Sequence, residues 1–402
     1  MLHVNRSGQN GSANGASGAG NELVSRLLRA KAAYTTRHVD FWAAEDITRI
    51  FAPRSGDLVL AKVEKIGQHP RIELATGRRA ALHVGDEIIV CYGNRYAPDQ
   101  FEALVPDDLG PCHLVAGGGI AAKMLSKHSR MQQPTMIRPI GLLIGGSSRP
   151  MNLADWALPK PAPVKTGSRP LTVGVFGTVM NAGKTTCAQN LVLGLKRSGR
   201  RVGAVKVTGT GAGGDRWALV DAGADVVMDF TDVGVPSTFG LDGAAVEAVF
   251  SELMAHMRAH HVDAVVIEVA DGLQQRETAV LANSDVFRQA CHGVVFAAGD
   301  AFGAAGGVER LRRAGHAVIA ASGVLTCSPL AIREAEELID VPVLTAAQLA
   351  AGVWLTGAAG AWLSDAATPS TFRAHAPVEA AAAPDRGDMQ DDGVVLKLQA
   401  VR

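Results

Sequence analysis

One stretch constrains the fold more than any other. The apolar run LTVGVFG (Leu171–Gly177) passes into GTVMNAGKTT (residues 177–186) and then into a helical pattern that lasts to Ser198. The first run shows no alternation, the mark of a strand buried on both faces. In the third, Ala188, Leu191 and Leu195 recur at helical spacing. A doubly buried strand that turns through glycines into an amphipathic helix belongs to a layered α/β fold, because only there does a strand need cover on both sides. The chain then repeats the alternation. Residues 201–207, 262–270, 293–299 and 316–322 read as further buried strands, and Val246, Val249, Phe250, Leu253 and Met257 mark a helix between them. A doubly wound parallel sheet is the expected architecture.

The residue types between 177 and 186 make sense as phosphate chemistry. Glycines let the backbone curl so that successive N–H groups point inward, and the helix N-terminus adds positive potential. Lys184 is placed to reach the β- and γ-phosphates, and the Thr185 hydroxyl to ligate Mg²⁺. The expected nucleotide-binding residues are Gly177, Thr178, Asn181, Ala182, Gly183, Lys184, Thr185 and Thr186. Between the first glycine and the Gly-Lys pair stand five residues, one more than the strict phosphate-loop pattern allows.

A first glycine, five residues and Gly-Lys-Thr, opening with Gly-Thr, resembles the phosphate loop of dethiobiotin synthetases. It is also similar to the wider SIMIBI class of P-loop proteins, which includes the molybdopterin-guanine dinucleotide adaptor GTPases. The resemblance covers about residues 171–350 and implies a P-loop NTPase domain that uses Mg²⁺ with ATP, GTP being the alternative. Thr178 sits where many relatives carry an additional signature lysine, which dethiobiotin synthetases also lack. No guanine-reading NKxD motif is visible, which favours ATP. Glu268, near the end of a buried strand, is the implied Mg²⁺ ligand, since an acid there is costly to bury unless it serves a cation. Where dethiobiotin synthetases have a glycine-rich turn after this acid, Val269, Ala270 and Asp271 follow, so Asp271 is an alternative. Lys206 matches in location the lysine that holds the anionic substrate, the alternative being a solvated strand-end lysine. Asp215 is the implied second Mg²⁺ ligand, and the sequence from it, DRWALVDAGADVV, resembles the adaptor GTPases.

Together these residues predict an ATP- and Mg²⁺-dependent ligase or small-molecule kinase. Lys184, Lys206 and Glu268 would serve in γ-phosphoryl transfer to a carboxylate-bearing or other anionic small metabolite. A nucleotide-hydrolysing adaptor or switch is the alternative. A true dethiobiotin synthetase is not expected, because the segments around Glu268 and Lys206 depart from that family, which also lacks an N-terminal domain of about 150 residues like the one expected here.

Weaker signals remain. GTGAGG (residues 209–214) matches GxGxxG, with Asp229 and Asp232 downstream as ribose-binding acids, and so admits a nicotinamide cofactor; a mobile substrate loop explains the same glycines. His256, His260 and His261 have a spacing that zinc uses, although histidines at a helix end commonly just complement the dipole. Asp300 and Ser322 end strands that face the ligand crevice. Gly117–Gly119 before a predicted helix with Lys123 and Lys127 suggests a second anion site, and Tyr92, Asn94, Arg95 and Tyr96 a small polar recognition surface; turn chemistry accounts for both as well.

Before the linker the pattern differs. Short apolar or alternating runs between residues 57 and 92, separated by Gly67, Gly77 and Gly85, predict a small antiparallel sheet or barrel. The expected organisation is a disordered head (1–20), a short helix plus a smaller, mainly β domain (21–150), a Pro-rich linker (151–170), the P-loop domain (171–365) and a mostly flexible tail (366–402) with an edge strand at 394–399. The 39 basic and 39 acidic residues cancel, so no broad basic face is available and nucleic acid is not an expected partner. The five cysteines are far apart and form no CxxC, consistent with a reducing compartment and no structural zinc site. With no apolar run of ~18 residues and no apolar segment of signal type at the start, a cytoplasmic protein without membrane association is expected. A homodimer is an open alternative to a monomer.

Overall fold

A computed structural model describes residues 18–164 and 169–356. Helix α1 (Gly18–Arg29) starts inside the stretch expected to be a disordered head. The rest of that head, the segment 366–402 and the expected edge strand at 394–399 lie outside the described residues.

Eleven strands follow α1: β1 (Lys31–Ala32), β2 (Ala44–Thr48), β3 (Leu58–Lys65), β4 (Arg71–Glu73), β5 (Arg79–Ala81), β6 (Glu87–Tyr92), β7 (Arg95–Tyr96), β8 (Phe101–Leu104), β9 (Cys112–Ala116), β10 (Ile120–Lys127) and β11 (Thr135–Gly145). Strands β6, β3, β11, β9 and β10 pair in series, and β10 pairs back onto β6, which closes a five-stranded barrel. The closing pair and β1–β6 run parallel, so the sheet is not purely antiparallel as the sequence pattern predicts. Closure leaves fewer open edges than a flat sheet of this size. In β3 the side chains alternate between two cores: Val59, Ala61 and Val63 join one, Leu58 and Leu60 the other. Leu23 and Leu27 of α1 cover the second core, and Arg26 pairs with Glu87 at 2.6 Å.

The helix expected after Gly117–Gly119 does not form. Ile120, Ala121 and Ala122 pair with Ala116, Leu114 and His113 and are buried, so the segment is strand β10. Lys123 is exposed on that strand, and no helix-borne anion site exists there. The Pro-rich linker is partly ordered: Asn152 and Asp155 form a capping box around a short turn (Leu153–Trp156).

The second sheet has six parallel strands: β12 (Leu171–Gly177), β13 (Val202–Lys206), β14 (Val226–Asp229), β15 (Ala264–Glu268), β16 (Gly293–Ala297) and β17 (Val318–Ser322). Their order is β14-β13-β15-β12-β16-β17. The helices are α2 (Lys184–Arg197), α3 (Gly214–Asp221), α4 (Gly243–Ala259), α5 (Arg276–Asn283), α6 (Asp285–Ala290), α7 (Ala301–Arg313), α8 (Pro329–Leu338) and α9 (Ala346–Ala350). Helices α2, α3 and α9 pack with Val173, Val175 and Val266 on one face. On the other, α4 to α8 pack with Phe176, Val205 and Ile267. From β12 the chain crosses through α2 to β13, on the far side of β15, so a crevice opens at the carboxyl ends of β12, β13 and β15.

A buried polar cluster locks the barrel region to this sheet. The Tyr34 hydroxyl donates to Asp229, while Arg37 and, at 2.9 Å, Arg216 pair with Asp232. His38 Nε2 also donates to Asp232 at 2.7 Å. Among the described residues, no helix is long and apolar enough to cross a membrane.

Candidate functional site

The loop after β12 has the backbone its residues foretell. Asn181 adopts φ 66°, a left-handed conformation that asparagine tolerates better than most residues. Gly183 has φ 98°, and a Cβ there would lie 3.0 Å from Gly323 Cα, so both conformation and space require glycine. Helix α2 begins at the next residue with no side chain capping its first turn, which leaves its N–H groups directed at the crevice.

Eight of the predicted residues line one cavity of about 380 Å³: Asn181, Gly183, Lys184, Thr185, Thr186, Lys206, Asp215 and Glu268. Asp271, the alternative acid, lines it too. Gly177, Thr178 and Ala182 shape the loop from behind: the Thr178 amide donates to Ala297 O at 3.0 Å, and Ala182 O accepts from the Val324 amide at 3.0 Å.

Polar groups in this cavity are packed around Thr185. Its hydroxyl lies 2.8 Å from Glu268 Oε1 and 3.2 Å from Asp215 Oδ1. Lys184 is buried and donates to Val179 O at 2.8 Å, so its ammonium lies across the loop. Lys206 is paired with Asp215 rather than solvated. Glu268 is only 2% exposed, and its Oε2 has no hydrogen-bond partner. Burial, reinforced by Asp215, pushes its carboxyl up to about 7. Burial also pulls the Lys184 ammonium below its ordinary value, opposed by Glu268. Burial opposes the charge on Lys206, but Asp215 and Glu268 outweigh it and keep the ammonium protonated; Lys206 in turn holds Asp215 below the usual carboxylate range. A buried carboxylate oxygen with no partner, beside two cations and a threonine hydroxyl, suits a divalent cation that also contacts phosphate.

The other sequence candidates are used elsewhere. Asp300 caps α7 by accepting from the Gly303 amide at 2.7 Å, and Ser322 is buried and donates to Leu344 O at 2.6 Å. His256 lies buried in α4, and no group of three or more His, Cys, Asp or Glu side chains able to hold a metal occurs among the described residues. The loop 209–214 is not open to a dinucleotide. The Gly211 amide donates to Pro236 O and the Gly213 amide to Glu73 Oε2, both at 2.9 Å. A Cβ on Gly213 would lie 2.4 Å from Glu73 Oε1 and 2.9 Å from the Tyr34 ring, so glycine there serves close docking of the barrel region. Asp229 and Asp232, the expected ribose ligands, hold Tyr34, Arg37 and Arg216 instead.

The sequence patterns do not single out Asp99, which accepts from Asn181 Nδ2 at 2.7 Å and so ties the barrel region to the phosphate loop. No spacing marks it, because the contact joins residues 82 positions apart. Of the residues expected to form a polar surface, Tyr92 is buried in the barrel core, while Asn94 donates to Phe239 O at 3.2 Å. Arg95 is buried beside a second cavity.

No family model matches the chain, and none of the curated proteins matches it. Among solved structures, two of the signal recognition particle receptor FtsY from Elizabethkingia anophelis are similar over part of the chain. One shares 18% identity over 50% of this chain and 70% of that one, with a TM-score of 0.30. The other, in complex with GDP, shares 16% identity over 52% and 68%, also with a TM-score of 0.30.

Proposed function

We propose that the chain is an ATP- and Mg²⁺-dependent enzyme that transfers the γ-phosphoryl group to an oxygen of a small carboxylate-bearing metabolite. It acts as a small-molecule kinase or as the activating half of a ligase; GTP is the alternative nucleotide. The observation that carries this reading is Glu268, buried with one oxygen on the Thr185 hydroxyl and the other unpartnered, at the foot of a glycine loop and a helix N-terminus. Thr185 and Glu268 would hold Mg²⁺, with Asp215 on the other side of Thr185. When bound, Mg²⁺ neutralises charge on the β- and γ-phosphate oxygens. Lys184 exchanges the Val179 carbonyl for phosphate oxygen, and the uncapped amides of α2 hold the triphosphate in line. Lys206, fixed by Asp215, presents a permanent positive charge to the transferred group.

A second reading, a nucleotide-driven switch, draws on the Asp99–Asn181 bond, through which a change at the phosphate loop would reach the barrel region. ADP release in the presence of a panel of short mono- and dicarboxylates separates the two. The enzyme reading expects one acid to raise the rate at least about tenfold, and Lys184→Ala to abolish that stimulation. Slow hydrolysis indifferent to every acid, yet accelerated by a protein, would replace it with the switch.

A further inference from the structure

A second cavity, of about 400 Å³, lies between the barrel region and the start of α3. Asp215 lines both this cavity and the phosphate cavity, so the two spaces are neighbours on either side of that residue. Arg71 of β4, Arg79 of β5 and Arg95 of β7 stand around it. The two carboxylates in its wall are already engaged. Glu73 accepts from Trp217 Nε1 at 2.8 Å and from the Gly213 amide at 2.9 Å, and Asp215 is paired with Lys206. Three guanidiniums against one charged carboxylate, Glu73, and Asp215, which Lys206 neutralises, leave the cavity electropositive.

Arg95 gives that excess a direction. It is only 7% exposed; its Nη2 donates to Gln100 Oε1 at 2.8 Å, and its Nε has no partner. Burial lowers its pKa to about 10, opposed by the more distant charges of Asp271 and Asp99. A buried guanidinium with an idle donor and no carboxylate in direct contact is costly, and a ligand carboxylate would satisfy it. Beside it, His69 is kept neutral: its Nδ1–H donates to Leu114 O at 3.2 Å, and burial together with Arg95 lowers its pKa to about 4. The ring therefore adds polarity and no charge of its own.

We propose that this cavity is the acceptor-substrate site and takes a short dicarboxylate, one carboxylate held by Arg95 with Arg71 and Arg79 and the other presented past Asp215 to the phosphate cavity. The assignment rests on the phosphoryl-transfer reading above and moves the substrate anchor from Lys206 to the barrel region. In the reaction a carboxylate oxygen forms a bond to the γ-phosphorus. The bond from that phosphorus to the bridging β–γ oxygen breaks, its electron pair leaves with ADP, and the product is an acyl phosphate.

Glutarate is a suitable probe, with uncharged glutaramide as its control. Binding is followed by calorimetry or ligand-observed NMR on the full chain, in wild type, Arg95→Gln, Arg79→Ala and Lys184→Ala. Glutarate is expected to bind and glutaramide not. Arg95→Gln should weaken glutarate at least about tenfold and Arg79→Ala about threefold or more. Because Arg79 is exposed, its replacement keeps the test decisive even if the Arg95 variant fails to fold. Lys184→Ala should still bind glutarate, which separates this site from the phosphate loop. Equal binding of glutarate and glutaramide, no glutarate binding by wild type, or an undiminished affinity in a folded arginine variant would overturn the site. If wild type holds glutarate through the arginines but binds no Mg²⁺-nucleotide, the phosphoryl-transfer reading fails, and the acceptor role with it.

Discussion

Under the proposed function, Glu268 is the residue at which stability and function pull apart. Its carboxyl is pushed up to about 7 from an ordinary 4.5, mainly by burial. Ionising it in the metal-free protein therefore costs stability. The sign follows from linkage: the penalty is absent below the unfolded value, grows as pH rises between the two values, and is complete above the folded one. Glu268→Gln should raise Tm of the metal- and nucleotide-free protein by ~2–5 °C at pH 8. The gain should shrink toward zero near pH 5, as measured by thermal unfolding in a chelator. A variant less stable than wild type at pH 8 would mean that the Thr185 hydroxyl and the two lysines outweigh the cost of burying the carboxylate. Residue type and spacing single out Lys184 and Thr185 in the sequence, and Glu268 stands out as an acid near the end of a buried strand; the structure brings the three into one cavity. The pairing of Lys206 with Asp215 is not, since an ion pair across nine residues depends on how the intervening loop folds.

Among elements, five of the six parallel strands are readable because each is apolar on both faces and so breaks the period of two, whereas β14, only four residues long and ending in Asp229, is not anticipated. Strand β10 is not. Ile120, Ala121 and Ala122 after three glycines fit a helix start as well as a strand, and only pairing with β9 decides between them. The barrel closure is equally invisible, because it depends on a parallel pair between β6 and β10, which are far apart in sequence. The glycine-rich loop 209–214 shows the limit of motif matching. Its pattern fits a dinucleotide loop, yet Glu73 and Tyr34 occupy the space such a ligand would need.

For the whole molecule, the decisive feature is the docking of the barrel region over the crevice, held by the cluster around Asp232. Burial works against ionisation of Asp232, but the hydrogen bond from His38 and the charges of Arg37 and Arg216 hold its carboxyl well below the usual range. A depressed carboxyl contributes stability that is fully present above its unfolded value, ~3.9, and is lost as pH falls below it. Asp232→Asn leaves the buried Arg37 and the partly buried Arg216 guanidiniums short of a partner and should cost ~3–5 kcal/mol at neutral pH. Denaturant unfolding should show this gap narrowing below pH ~4, whereas a gap constant with pH would mean that the cluster acts through shape alone. The central claim, that the 380 Å³ cavity under the glycine loop is a Mg²⁺-nucleotide site, is tested most directly by calorimetric titration of ATP and of GTP. Each titration is run with Mg²⁺ and with a chelator, in wild type and Lys184→Ala. Wild type should bind one of the two nucleotides, and the affinity should fall at least about tenfold on removing Mg²⁺ and at least as much in the variant. Equal affinity in wild type and Lys184→Ala, or no binding of either nucleotide, would contradict it.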